Sequence, residues 1–137
     1  MTDAPQGPTT GVTPHLTIRD DRAAEAIDFY KAAFGATEHT RMAGEDGKRL
    51  MHAHLTINNG SVMLHDDFPE YSGGPAPAPA SVVLHLQVDD VDTWMARAAA
   101  AGAEVTMPAE DMFWGDRYGQ LRDPFGHAWA IGAPVKS

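Results

Sequence analysis

A chain of 137 residues, 43% hydrophobic and 21% charged, has room for one domain with a proper core. It contains no cysteine, which excludes disulfide scaffolds, thiolate metal sites and cysteine nucleophiles. A net charge of −9, with 10 Lys and Arg and no basic cluster, sets it against nucleic acid and anionic lipid surfaces as partners.

Residues 1–11 are polar and rich in Pro, Thr and Gly, and they read as a flexible tail without a secretory signal. No apolar run approaches the ~20 residues of a membrane helix, so a cytoplasmic protein is expected. From Val12 to Ile18 the pattern has period two, with Pro14, Leu16 and Ile18 on one side and Thr13, His15 and Thr17 on the other, which predicts a strand. Asp20 and Asp21 read as helix starters; Ala23, Ile27, Tyr30 and Phe34 then recur at helical spacing, and Gly35 supplies the stop. Thr37–Met42 carries a weak strand signal. Leu50–Ile57 alternates Met51, Ala53, Leu55 and Ile57 against His52, His54 and Thr56. Asn58-Asn59-Gly60 then turns into Ser61–His65, which puts Val62 and Leu64 opposite Ser61, Met63 and His65, a hairpin.

Residues 67–81, with Gly73-Gly74-Pro75-Ala76-Pro77-Ala78-Pro79, read as a linker. The first pattern then begins again. Val82–Val88 alternates Val82, Leu84, Leu86 and Val88 against Val83, His85 and Gln87; Asp90 opens a helix with Val91, Trp94, Met95 and Ala98 on one side; and Gly102 ends it. His15-Leu16-Thr17-Ile18-Arg19-Asp20 lies against His85-Leu86-Gln87-Val88-Asp89-Asp90, 70 residues on. Gly35-Ala36-Thr37-Glu38 lies against Gly102-Ala103-Glu104, 67 residues on. This internal repeat predicts an α+β domain of two tandem βαβββ modules. Module one is 12–66 and module two 82–132, joined by the 67–81 linker, with 133–137 as a C-terminal tail. The second half closes with strands near Glu104–Pro108, Tyr118–Arg122 and Ala128–Gly132.

One helix covers one face of a sheet, which leaves the polar faces of the two half-barrels to form a cleft. His15, His52, His54, His65 and His85 fall on those faces, His15 and His85 at equivalent places in the repeat. These features carry a resemblance to the vicinal oxygen chelate superfamily, the glyoxalase and bleomycin-resistance fold. The likeness is to its PhnB-like branch, through Ala26-Ile27-Asp28-Phe29-Tyr30-Lys31-Ala32-Ala33-Phe34-Gly35-Ala36, His52-Ala53-His54-Leu55, Val62-Met63-Leu64, and Phe113-Trp114-Gly115-Asp116-Arg117 with Asp123-Pro124-Phe125-Gly126-His127. The superfamily holds lyases, epimerases, dioxygenases and drug-binding proteins, so the fold does not fix the reaction.

By that resemblance, the enzymes hold a divalent metal with a residue from the first strand of each module and a carboxylate on the last strand, leaving positions open for substrate oxygens. The first-strand positions fall on Thr13 and Val83, or after a two-residue slip on His15 and His85; the carboxylate position falls on Ala130. Because Ala130 cannot coordinate, the first expectation is a cleft that binds a small molecule without the usual metal. The ligand-binding candidates are His15, His54, His65, His85, Trp114 and Arg117. The alternative is a lyase, isomerase or related enzyme in which His15 and His85, joined by His54 or His65, hold Zn, Ni, Mn or Fe. In the 111–119 loop, Trp114 and Arg117 read as pocket residues, with Arg117 facing an anionic ligand or paired to Asp116 or Asp123. Phe113 and Asp123 read as packing and turn residues, and Met42, Met51 and Met107 as core fillers. The resemblance further implies a homodimer. No Gly-rich phosphate loop, nucleophile elbow or helical His-Glu-x-x-His is present.

Overall fold

The structure is a computed structural model that describes residues 7–136. In chain order the elements are β1 (His15–Ile18), α1 (Ala23–Phe34), β2 (Thr37–Ala43), β3 (Leu50–Ile57), β4 (Gly60–Asp66) and α2 (Pro69–Ser72). There follow β5 (Val83–Gln87), α3 (Val91–Ala101), β6 (Glu104–Asp111), β7 (Asp116–Arg122) and β8 (Ala128–Pro134). The repeat therefore exists as structure: one sheet has the order β1-β4-β3-β2 and the other β5-β8-β7-β6. In each, the first strand runs parallel to the last and the remaining pairs are antiparallel. Two four-stranded mixed sheets with helices make the chain an α+β protein of two βαβββ modules.

The described residues divide into two compact units, the first ending at Pro77 and the second beginning at Ala78, except that Ala32–Phe34 group with the second. In the first unit Leu16, Ile18, Ala53, Leu55, Ile57, Val62 and Leu64 are buried, as the period-two alternation requires. Buried Ala23, Ala26, Ile27 and Tyr30 recur at three and four along α1. Gly35 closes the helix in the left-handed conformation at φ 68°, its N–H bonded to the Lys31 carbonyl. In the second unit α3 starts on Asp90, whose carboxylate accepts from the Thr93 N–H, and buries Val91, Met95 and Ala98. Met95 lies against Gly119 of β7: a Cβ there would come within 2.8 Å of its Cε. Trp129, with its ring 4.7 Å from that of Phe34, is the largest buried side chain.

Several local expectations are corrected. Asp20 and Asp21 do not cap α1; both have positive φ, and the orphan donor at the helix start is met instead by Asp66, 43 residues on at the end of β4. The Asp66 carboxylate, 1% exposed, accepts from Ala23 N–H at 2.8 Å through one oxygen and from Leu50 N–H at 2.7 Å through the other. Met42, Met51 and Met107 are exposed rather than core, because β2 and β6 are edge strands and Met51 stands at the head of β3. Val82 precedes β5 and is exposed. Most of the expected 111–119 loop is hairpin, with β6 and β7 leaving only 112–115 as the turn, and β8 runs on to Pro134. Among the described residues no helix is long and apolar enough to cross a membrane.

Candidate functional site

The strand register of the first unit gathers histidines on the face of the sheet away from its apolar side. His15 pairs with Met63 and Thr17 with His65 between β1 and β4; His54 lies opposite Met63, and Met42 opposite His52. Cross-strand partners share a face, so these side chains stand together. The His15 ring meets His65 edge-on at 4.7 Å between centroids, and His52 at 6.3 Å. Partial burial, followed by the neighbouring His65 and His52, pushes the His15 pKa below the ordinary histidine value, which favours its neutral imidazole.

The tautomer of His65 is set by its partner. Its Nδ1 lies 2.6 Å from the carbonyl oxygen of Asp66, which can only accept, so Nδ1 carries the proton and Nε2 of the neutral ring is an acceptor. Thr17 Oγ1 is 3.4 Å from that Nε2. His54 is buried at 5% exposure, and its Nε2 bonds Ser61 Oγ at 3.0 Å. Alternation alone missed His39. His39, two residues on from Thr37, which pairs with Thr56, stands on the histidine face at the register shift between Glu38 and Thr40, with Nε2 2.6 Å from Thr56 Oγ1 and its ring 5.0 Å from His54. The signal for it was only the weakness of the strand pattern in 37–42.

Beside His65 a cavity of about 450 Å³ opens between the sheet and the segment that follows it. Thr17 and His65 form its polar side, while Phe68, Tyr71, Pro75 and Pro77 supply apolar wall. The segment is folded back by Asp67, whose Oδ2 accepts from Ala76 N–H at 2.8 Å. Phe68 and Tyr71 have centroids 6.0 Å apart, and the Arg49 guanidinium lies 4.2 Å over the Phe68 ring.

On the second sheet His85 lies over Gly132: a Cβ at 132 would stand 2.9 Å from His85 Cε1. The ring stacks on Tyr118 at 6.0 Å and 16°, its Nε2 is 2.8 Å from Gln87 Oε1, and Gln120 Nε2 donates to the Tyr118 hydroxyl at 3.0 Å. Trp114 meets Tyr118 edge-on at 5.9 Å and donates from Nε1 to Asp116 Oδ2 at 3.0 Å. Phe113, expected to pack, is 98% exposed at the hairpin tip, in edge contact with Trp114 alone among the described rings.

Arg117 is placed elsewhere. Alternation along β7 puts it with Gly119 and Leu121, opposite Tyr118 and Gln120, and its guanidinium donates to Asp92 of α3 and Asp111 of β6 at 3.0 Å, rather than to Asp116 or Asp123. Those two carboxylates hold its pKa above the usual arginine value. A cavity of about 240 Å³ there is lined chiefly by Asp89, Asp90, Asp92, Asp111, Arg117 and Lys136. Asp123 is buried and structural as expected, through hydrogen bonds from Phe125 N–H, His127 N–H and Trp129 Nε1 rather than an ion pair.

Of the six candidate residues, His15, His54 and His65 share one face of the first sheet. His85 and Trp114 are linked through Tyr118 in the second unit, and Arg117 lies on the helix side of β7. Thr13 precedes β1. The residue paired with His85 on the last strand is Ala130, and the residue paired with His15 is Met63, so neither histidine has a carboxylate across from it. Among the described residues no three His, Asp or Glu side chains are grouped to hold a metal ion.

A model of the Glyoxalase/Bleomycin resistance protein/Dioxygenase superfamily matches residues 13–131. The chain is 51% identical over 130 residues to the uncharacterized protein Mb0911c of Mycobacterium bovis, covering 91% of this chain and 84% of that protein. It resembles the crystal structure of TioX from Micromonospora sp. ML1 with a TM-score of 0.70 and 27% identity, over 91% of this chain and 100% of the other. The PhnB protein from Bacillus cereus shares the fold, with a TM-score of 0.66 and 21% identity over 90% of this chain and 99% of the other.

Proposed function

Because the chain belongs to the glyoxalase, bleomycin resistance protein and dioxygenase superfamily, we propose that it binds a small molecule on the histidine-bearing face of its first sheet, as a PhnB-like member without the metal centre of the catalytic ones. The observation that carries this reading is the meeting of His15, His52 and His65, a concentration of imidazole that packing alone does not require. The residues do not fit the metal that the superfamily's enzymes use: Ala130 stands across from His85 and Met63 across from His15, so neither histidine faces a carboxylate, and among the described residues no three His, Asp or Glu side chains are placed to hold a metal ion. No step is therefore assigned to a metal. The His65 imidazole, its tautomer set by the Asp66 carbonyl, serves instead as a directional acceptor for an uncharged ligand. A homodimer in the cytoplasm belongs to the same proposal, and light scattering on the eluted peak checks its mass.

The test is a screen of small metabolites by NMR of the histidine ring signals, on protein stripped of metal and again with zinc or nickel added. The expected result is a ligand that moves the His15, His52 and His65 signals equally with and without metal, and whose binding the double variant His15→Ala, His52→Ala abolishes while its melting curve stays cooperative. Binding that needs stoichiometric metal, or that survives in the double variant, refutes the proposal.

A further inference from the structure

We infer that the cavity flanked by His65, Phe68 and Tyr71 is the seat for a neutral, hydroxylated aromatic ring, held by its hydroxyl donating to His65 Nε2. The inference rests on the reading that the adjoining face binds a small molecule, and names the class of ligand. Four observations lead to it.

The first is the fixed tautomer: with Nδ1–H donating to the Asp66 carbonyl, Nε2 of the neutral ring is an acceptor whose one contact, the Thr17 hydroxyl, is long at 3.4 Å, and both residues line the cavity, so a ligand donor can take that lone pair. The second is the sign of the lining. The cavity is lined by the Asp67 carboxylate and by no Lys or Arg, and the Ser72 hydroxyl is already within hydrogen-bond distance of the Phe68 and Gly74 carbonyls, so a carboxylate or phosphate finds repulsion and no cationic partner. The third opposes a cation: the Arg49 guanidinium, itself paired with Asp46 and Glu70, already lies over the Phe68 ring at 4.2 Å, and one oxygen of Asp67 is taken by the Ala76 N–H, so the groups that would hold a cation are already engaged. A neutral ligand remains. The fourth is shape. Phe68 and Tyr71 present rings tilted by 31° to each other, and Pro75 and Pro77 continue the apolar wall, a surface suited to a flat body. At about 450 Å³ the space falls in the lower part of the range that small-molecule sites occupy, roughly 300–1,000 Å³.

The geometry also assigns parts. His65 and the edge of the sheet supply direction, and the 67–77 segment supplies contact area. The Asp67 to Ala76 bond holds that segment folded over the space, so the ligand meets a wall already in place and loses little to ordering it.

The experiment uses 2-naphthol as the probe, with 2-methoxynaphthalene and 2-naphthoate as comparison compounds, titrated into the full-length protein followed by amide and histidine-ring NMR. The expected result is saturable binding of 2-naphthol that moves the His65 ring and the amides of Thr17, Phe68, Tyr71 and Ala76. The methyl ether, unable to donate, binds about tenfold more weakly, the size of one hydrogen bond, and the naphthoate shows no saturation. His65→Leu removes the preference for the naphthol over its ether. Tyr71→Ser, at an exposed position where the fold is not at stake, weakens both.

Equal affinity for naphthol and ether, tighter binding of the naphthoate, or shifts confined to residues outside this cavity overturn the inference. Absence of naphthol binding overturns it too. The parent reading is judged separately: metabolites that move the His15 and His52 rings keep it standing whatever 2-naphthol does, and their absence removes it even where 2-naphthol binds.

Discussion

Replacing Asp66 should cost several kcal/mol of stability, because it ties the start of α1 to the start of β3. Its two oxygens hold the first N–H of α1 and the first N–H of β3 at 2.8 and 2.7 Å, in a setting 1% exposed. Each is a hydrogen bond to a charged acceptor, worth about 1.5–3 kcal/mol, and truncation leaves both buried donors without a partner. Asp66→Ala should therefore destabilise by about 3–5 kcal/mol. At roughly 4 °C per kcal/mol for a domain of this length, that is a fall of about 12–20 °C in melting temperature. Asp66→Asn keeps one carbonyl oxygen but turns an amide N–H₂ toward the second donor, and should fall between the two, nearer the alanine variant. Calorimetry gives the magnitude, and amide exchange gives the place: protection lost at Ala23 and Leu50 ahead of the rest of the first unit. A loss below about 1 kcal/mol for Asp66→Ala, or unchanged exchange at those two amides, would refute the capping role.

Three further outcomes are expected. Gly132→Ala should drive the His85 ring off Tyr118, since the new methyl comes within 2.9 Å of Cε1, at a cost of about 1–3 kcal/mol, seen as a changed ring shift for His85 with a lowered melting temperature. Because the folded His15 is held below 6.5 chiefly by desolvation, the unfolded chain takes up the proton first. Stability should thus be full above that pH and decline as pH falls from 6.5 toward the folded value, and His15→Gln should flatten this decline in urea titrations. Arg117→Met should lower the melting temperature at low salt by freeing α3 from β6, and the difference should shrink in molar salt, because both ion pairs are half exposed.

The features legible in the sequence are those whose causes lie within a few residues of one another. Strand alternation at Leu16 and Ile18, helical spacing from Ala23 to Phe34, and the stops at Gly35 and Gly102 are local, and the equivalence of His15 and His85 follows from the repeat. What alternation cannot say is which strand ends at an edge, and so Met42 and Met107 read as core when they are exposed. It also fails wherever the ladder slips by a residue: at the shift beside Glu38 the alternation from Thr37 and the alternation back from Met42 disagree over His39, so no single period assigns its face. Partners distant in sequence were out of reach. Asp66 serves a helix 43 residues away, and Arg117 pairs with Asp92, 25 residues back, rather than with the acids next to it. The cavity wall was hidden for another reason: 67–81 reads as a linker by composition, and only the Asp67 to Ala76 bond folds it back into part of a site.

The place of the His85 ring over Gly132 bears on how this chain and its relatives can change over time. The imidazole fills the volume that a side chain at 132 would claim, so the two positions are one choice written twice. Among relatives of this fold, a histidine at the equivalent of 85 with its ring in this pose should travel with glycine at 132, and a larger residue at 132 should be found only where 85 has become small or has swung aside. An alignment of sequences in which bulky residues occupy both positions as often as chance allows would show that the ring is free to leave, and that its stacking on Tyr118 constrains nothing.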